Sequence, residues 1–79
     1  MSIYQKLVEK FGHEDRKKKC IEELSELIRA IARDDRANVL EETCQVLLQL
    51  EMLSEVYDFK QSEIEKQQEI EYKRLERLL

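Results

Sequence analysis

Ile21-Glu22-Glu23-Leu24-Ser25-Glu26-Leu27-Ile28-Arg29-Ala30-Ile31 carries two patterns on one segment. Apolar residues recur at the three- and four-residue intervals of an α-helix, and carboxylates recur beside them. At about 100° per residue, Ile21, Leu24, Leu27, Ile28 and Ile31 fall together as the expected core face. Glu22 falls nearly opposite and is expected in solvent. Glu23 and Glu26 flank the apolar stripe, with Ala30 between them in angle. Arg16 and Lys19 lie on the same flank earlier in the chain, so the stripe reads cations first and carboxylates after.

Around this segment the sequence predicts an all-α fold, one domain over residues 1–79. The chain has one Gly and no Pro, and strands need turns that lean on such residues. A parallel sheet, a Gly-rich phosphate loop and a Rossmann unit are excluded on the same ground. Ser2 and Gln5 fit a capping box that opens a first helix, expected to end near Phe11 with Gly12 as its left-handed stop. A second helix is expected from His13–Asp15 to about Arg33, with Asp34-Asp35-Arg36-Ala37 as the connection. Asn38 with Glu41 is expected to open a third helix reaching about Phe59, and Ser62 with Glu65 a fourth running to the C-terminus.

The third helix is less orderly than the second. Val39, Val46, Leu50, Leu53 and Tyr57 define its expected main face, with Leu47 beside them. Glu42, Gln45 and Gln49 fall between that face and a second apolar patch of Leu48, Met52 and Val56. Glu41, Cys44, Glu51 and Glu55 make the plainly polar side. Polar groups set between apolar surfaces must be paired or bound, because burying a lone charge is expensive. A single bundle of this length is not expected to cover both apolar surfaces, which points to self-association.

Charge and composition narrow the partners. With 14 basic and 18 acidic residues the net charge is −4, which argues against nucleic acid. No stretch approaches the roughly 20 apolar residues of a membrane span, and no signal-peptide pattern opens the sequence. Cys20 and Cys44 lack metal-ligand spacing and read as free thiols of a reducing, cytoplasmic setting. No set of nucleophile, base and orienting group is present, so covalent catalysis has no support. His13 is expected as an exposed first-turn residue, and Tyr4, Phe11, Tyr57 and Phe59 as core residues or, alternatively, walls for a nucleobase. Lys73, Arg74 and Arg77 are expected as solvated charges with partners such as Glu76, the alternative being phosphate contact across a subunit interface.

Carboxylates three residues apart on one helix and again on the next, facing each other across the helix pair, make an oxygen-rich site for a hard divalent cation such as Mg²⁺. Mg²⁺ is the usual partner of nucleotide phosphates, and Arg16 and Lys19 would suit phosphate oxygens. The plainer alternative is a surface lattice in which Glu23 and Glu26 pair with Lys19 and Arg16.

The motifs resemble those of the MazG-like, all-α nucleoside triphosphate pyrophosphohydrolases. Glu22-Glu23-Leu24-Ser25-Glu26 matches their EExxE motif, preceded by Lys19. Asn38-Val39-Leu40-Glu41-Glu42-Thr43-Cys44-Gln45 falls where their second motif, ExxD, opens the next helix. Phe11-Gly12 is similar to the Trp-Gly of phage-type members, and Tyr72–Leu78 to their last helix. The resemblance implies a four-helix bundle completed by oligomerisation as a dimer or tetramer. It implies hydrolysis of ribo- or deoxynucleoside triphosphates to the monophosphate and pyrophosphate, with Mg²⁺, or Mn²⁺ in its place. Carried over, the metal ligands are Glu23, Glu26, Glu42 and, in the fourth position, Gln45; Glu23 and Glu26 are also the catalytic pair. Glu22 stands at the rim, and Lys19 and Arg16 meet substrate phosphate.

Two positions depart from the family pattern. Gln45 stands where the Asp of ExxD is expected, which removes one negative charge from the site. Arg16 stands where phage-type members often have glutamine. Activity on three carboxylates, a degenerate nucleotide binder and a non-catalytic helical interaction module all fit these departures.

Overall fold

Ser2 accepts a hydrogen bond from the Gln5 amide at 3.1 Å while the Gln5 side chain accepts from the Ser2 amide at 2.7 Å, so the expected capping box opens the first helix. In the computed structural model, which describes residues 1–79, four helices follow in order: α1 (Ile3–Phe11), α2 (His13–Arg33), α3 (Arg36–Val56) and α4 (Gln61–Glu76). The all-α expectation is met. No helix is long and apolar enough to cross a membrane.

The connections explain the boundaries. Gly12 separates α1 from α2 with φ 88° and ψ 161°, a backbone region essentially reserved for glycine; it is not the left-handed helical stop expected there. Its amide still donates to the Val8 carbonyl at 2.8 Å and closes α1. Asp34 takes the left-handed conformation at the end of α2 (φ 54°, ψ 35°), and Asp35 caps α3 by accepting from the Asn38 amide. The third helix therefore begins three residues earlier than expected, with Asn38 inside its first turn. Asp35 outcompetes Asn38 as cap because a two-residue link already reverses the chain.

At the other end α3 stops at Val56, short of the expected Phe59. Asp58 adopts φ 55°, the Phe59 amide donates to Ser54 and the Asp58 amide to Glu55. This double bond around a left-handed residue is the Schellman arrangement, with Asp in the place usually held by Gly. The chain re-enters a helix at Gln61 after extended Lys60, so Ser62 lies within α4 and does not cap it. Gln61 instead donates to Glu65 at 3.2 Å.

Packing corrects the expected core faces. α2 and α3 form an antiparallel pair, and α1 lies against both; α4 packs on none of them. The side of α2 that meets α3 carries Cys20, Glu23 and Ala30, which are buried, and Leu27, which is half-buried. Ala30 at 0% and Cys20 at 2% exposure are small enough to let the helices approach closely. Ile21, Ile28 and Ile31, expected in the core, are exposed, Ile28 to 68%, and Leu24 sits at the margin. The wheel locates the most apolar face correctly, but the acid-bearing flank is the one applied to α3.

On α3 the buried residues are Glu42, Val46, Met52 and Val56, while Leu47, Leu48 and Leu50 are exposed and Val39 and Leu53 half-buried. Met52 and Val56 are thus covered within the protomer, contrary to expectation. α1 packs against α3 as well as against α2. Of the aromatics expected in the core, Tyr4 is half-buried and Phe11, Tyr57 and Phe59 are exposed. Tyr57 and Phe59 stack on each other at 5.6 Å between ring centres. The radius of gyration, 14.8 Å, exceeds the about 11.6 Å of a compact domain of this length, because α4 stands away.

The Gly12 geometry makes a test available. No atom lies within 4 Å of where a Cβ would sit, so Gly12→Ala strains the backbone without a clash. It is expected to lower stability by about 1–3 kcal/mol, read as a lower urea midpoint with unchanged slope at fixed protein concentration.

Candidate metal centre

The two-residue link between α2 and α3 sets an antiparallel register that brings Glu42 against Glu23 and Glu26. One carboxylate oxygen from each lies within 4.8 Å of the other two. Glu23 and Glu42 are buried, at 5% and 9% exposure, while Glu26 is open to solvent. Glu22 is exposed, as its place on the wheel requires. Gln45 follows Glu42 by one turn on α3 and is half-buried.

Two oxygens of this cluster are unpaid in hydrogen bonds. Glu23 Oε2 and Glu42 Oε2 are buried with no partner, and Gln49 Oε1, farther along the same helix, shares that condition. An unpartnered buried polar atom costs on the order of 1–3 kcal/mol, more when charged. The one cation that reaches the cluster is Lys19, whose Nζ stands 3.0 Å from Glu23 Oε1 and 3.8 Å from Glu22 Oε2. The hydrogen bond and charge of Glu23 hold the Lys19 ammonium above the usual lysine range. Glu42 has no ion pair. Burial, first, and then the negative charges of Glu26 and Glu23 push its carboxyl above the usual carboxylate range.

This donor set fits a hard divalent cation. All donors are oxygens, three are carboxylates, and two point unpartnered oxygens into the interior. Ligands about 2.1 Å from Mg²⁺ stand at most about 4.2 Å from each other, so a small side-chain adjustment closes the set. Cys20 is buried and its thiol is pushed up by burial, which leaves it unreactive.

The remaining expected site residues are more scattered. Arg16 stacks on the Phe11 ring, 4.6 Å from its centre, and pairs with Asp15. It stands about 15 Å along the axis from Glu26 at ~1.5 Å per residue. The surface-lattice alternative is therefore realised only at Lys19–Glu23. His13 is exposed, as expected. Lys73 and Arg74 pair within α4, with Glu69 and Glu71 in place of Glu76.

A cleft of about 210 Å³ opens beside the cluster, lined by Glu26, Arg29, Arg33, Asn38 and Glu42. Arg29, Arg33 and Asn38 were not among the expected site residues. Continuing the Lys19–Glu23–Glu26 stripe by three and then four residues reaches both arginines, and that continuation is the signal that would have found them. A larger groove, about 940 Å³, runs along α4 between Phe59 and Leu75 and contains none of the cluster.

The raised affinity of Glu42 for a proton has a definite sign. A carboxyl whose folded value lies above its unfolded one adds stability that is full below about pH 4.5 and is lost as pH rises through the folded value. Glu42→Gln is therefore expected to raise the thermal midpoint of the metal-free protein near neutral pH. The gain should shrink to nothing at about pH 4, as a pH series of melting curves would show.

Comparison with known proteins agrees with this geometry. No curated protein and no solved structure matches the chain. A family model described as the MazG nucleotide pyrophosphohydrolase domain matches residues 11–72, a span holding α2, α3, the three clustered carboxylates and the cleft beside them. With most of its length and the whole acidic site inside that match, the chain belongs to the MazG nucleotide pyrophosphohydrolase domain family.

Proposed function

We propose that the chain hydrolyses nucleoside triphosphates, ribo or deoxy, to the monophosphate and pyrophosphate with Mg²⁺ or Mn²⁺. Glu23, Glu26 and Glu42 hold the cation and Gln45 fills a weaker fourth position. The observation that carries this reading is the pair of buried, unpartnered oxygens of Glu23 and Glu42 inside a three-carboxylate cluster. A cation bound there supplies charge neutralisation to the phosphates and to the departing pyrophosphate. Glu23 and Glu42, buried between the helices, keep the set rigid. Glu26, the exposed member, is the carboxylate that solvent reaches, and it accepts the proton of the attacking water as the anhydride oxygen between the α- and β-phosphates leaves with pyrophosphate. Lys19, one turn before Glu23, steadies phosphate once a cation takes over the Glu23 charge; Arg16 reaches substrate only by leaving Phe11 and Asp15.

A second reading, a nucleotide binder or interaction module without turnover, rests on Gln45 in place of the acid of the second motif. An amide oxygen is a neutral ligand, so the site carries one negative charge less and holds its cation less firmly. Cytoplasmic location belongs to either reading, since both cysteines are free thiols.

Self-association belongs to both readings as well. Ile21, Ile28 and Ile31 on α2 and Leu47, Leu48 and Leu50 on α3 are exposed, and large apolar side chains left in water on both central helices favour burial against a partner. A second copy is the partner proposed for them, as a dimer or tetramer. Ile28→Asp is expected to shift the sedimenting species to the monomer; an unchanged sedimentation coefficient would count against this surface.

The decisive assay is pyrophosphate release from a panel of nucleoside triphosphates with Mg²⁺ or Mn²⁺. Turnover by the unmodified protein, lost by at least a hundredfold in Glu26→Gln, is the expected result. Turnover only after Gln45→Asp would favour the second reading. Melting curves give an independent check. A cation at a hundredfold excess over its Kd stabilises the fold by about 2.7 kcal/mol. Glu23→Gln should abolish that gain and Glu22→Gln should spare it; equal behaviour of the two would refute the ligand assignment.

A further inference from the structure

Two guanidinium groups beside the acidic cluster have no ion-pair partner. Every cation paired in the structure belongs to Arg16, Lys17, Lys19, Lys60, Lys73 or Arg74. Arg29 and Arg33 are absent from that set although they line the same cleft as Glu26 and Glu42. They sit four residues apart on α2, hence on one side of it and about 6 Å apart along its axis. Asn38, at the start of α3, faces them across the cleft with a side-chain amide that makes no hydrogen bond of its own. Behind them lies Glu42, nine-tenths buried, with an unpartnered oxygen.

We propose that Arg29 and Arg33 form the anion-binding end of the cleft and grip the polyphosphate of the nucleotide. This assignment rests on the proposed metal centre and names how its substrate is held. The charge sequence across the cleft argues for it. Three carboxylates alone repel a triphosphate in a chain already at net charge −4. A cation on the carboxylates offsets that repulsion on one side of the phosphates only. The other side needs donors, and planar guanidiniums supply them as two-pronged hydrogen bonds that suit phosphate oxygens. Lys19 is engaged by Glu23 and Arg16 by Asp15 and Phe11, so the two free arginines, which share the cleft with Glu26 and Glu42, are the cations there with unspent donors. Along α2 the face then reads Lys19, Glu23, Glu26, Arg29, Arg33, with cations at both ends of the carboxylates.

Calorimetric titration with MnCl₂ alone, and with sodium pyrophosphate in the presence and absence of Mn²⁺, tests the assignment without relying on turnover. Both arginines are exposed, so the double variant Arg29→Ala/Arg33→Ala is expected to keep its helical signal and thermal midpoint. It should bind Mn²⁺ at least as tightly as the unmodified chain, because positive charge near the cation has been removed. Its pyrophosphate affinity should fall tenfold or more, and Arg29→Lys/Arg33→Lys should fall between the two. Pyrophosphate binding unchanged in the double alanine variant would overturn the proposal. So would an unmodified protein that takes Mn²⁺ but no pyrophosphate under either condition, a result that spares the metal centre. An unmodified protein that takes pyrophosphate through these arginines but no Mn²⁺ would uphold the anion site and refute the metal centre instead.

Discussion

Three carboxylates occupy the seam between α2 and α3 with one ammonium to offset them. Most helix pairs reserve that seam for apolar side chains; here Glu23 and Glu42 are inside it and carry oxygens without donors. Coulomb repulsion and lost hydration both oppose the arrangement. It persists because the surrounding contacts are small and close: Cys20 and Ala30 are almost wholly buried beside the acids, and Val46 lies one turn past Glu42 on α3. The upward push on the Glu42 carboxyl, the single short contact from Lys19 and the choice of helix face all follow from this placement.

Giving the acidic flank to the interior turns the most apolar flank outward. Only seven of 79 residues are buried, few for a chain that is 42% hydrophobic. The isoleucines of α2 and the leucines of α3 are exposed for the same reason that the glutamates are not. In the proposed reading, a second copy covers them, and the hydrophobic burial that holds the acids together comes from between subunits as well as within one. α4, joined to the rest only through the stacked Tyr57–Phe59 corner, adds nothing to the packing of a lone protomer.

Local rules carried over into the fold where one residue has a single strong option. Ser2 with Gln5 has no competitor nearby, and the capping box forms as read. Near α3, Asp35 and Asn38 are both good caps three residues apart; the turn after Asp34 selects the first, which periodicity does not register. Asp58 ends α3 in a left-handed conformation that nothing in its neighbours advertises, since Gly usually takes that place. The faces of α2 were legible as angles and illegible as partners: a wheel ranks sides by polarity, whereas α3 chose the side with small residues. The resemblance to the MazG-like motifs groups Glu23, Glu26 and Glu42, and the structure brings the three together, because helix spacing and a short connection leave little freedom in register. Arg29 and Arg33 lie beyond the last motif carboxylate, on the C-terminal continuation of the same stripe, where no motif marks them.

The two-residue link at Asp34-Asp35 has a kinetic side. Every carboxylate of the cluster lies between Glu23 and Glu42, inside one hairpin whose arms are neighbours in sequence. Closing so short a loop costs little chain entropy, and contacts of low sequence separation form early. The acids are therefore brought together by the closing of this one hairpin, with no contact from α4 required. Their mutual repulsion is met as those two helices close, when cations in the surrounding solution still have access to the open seam.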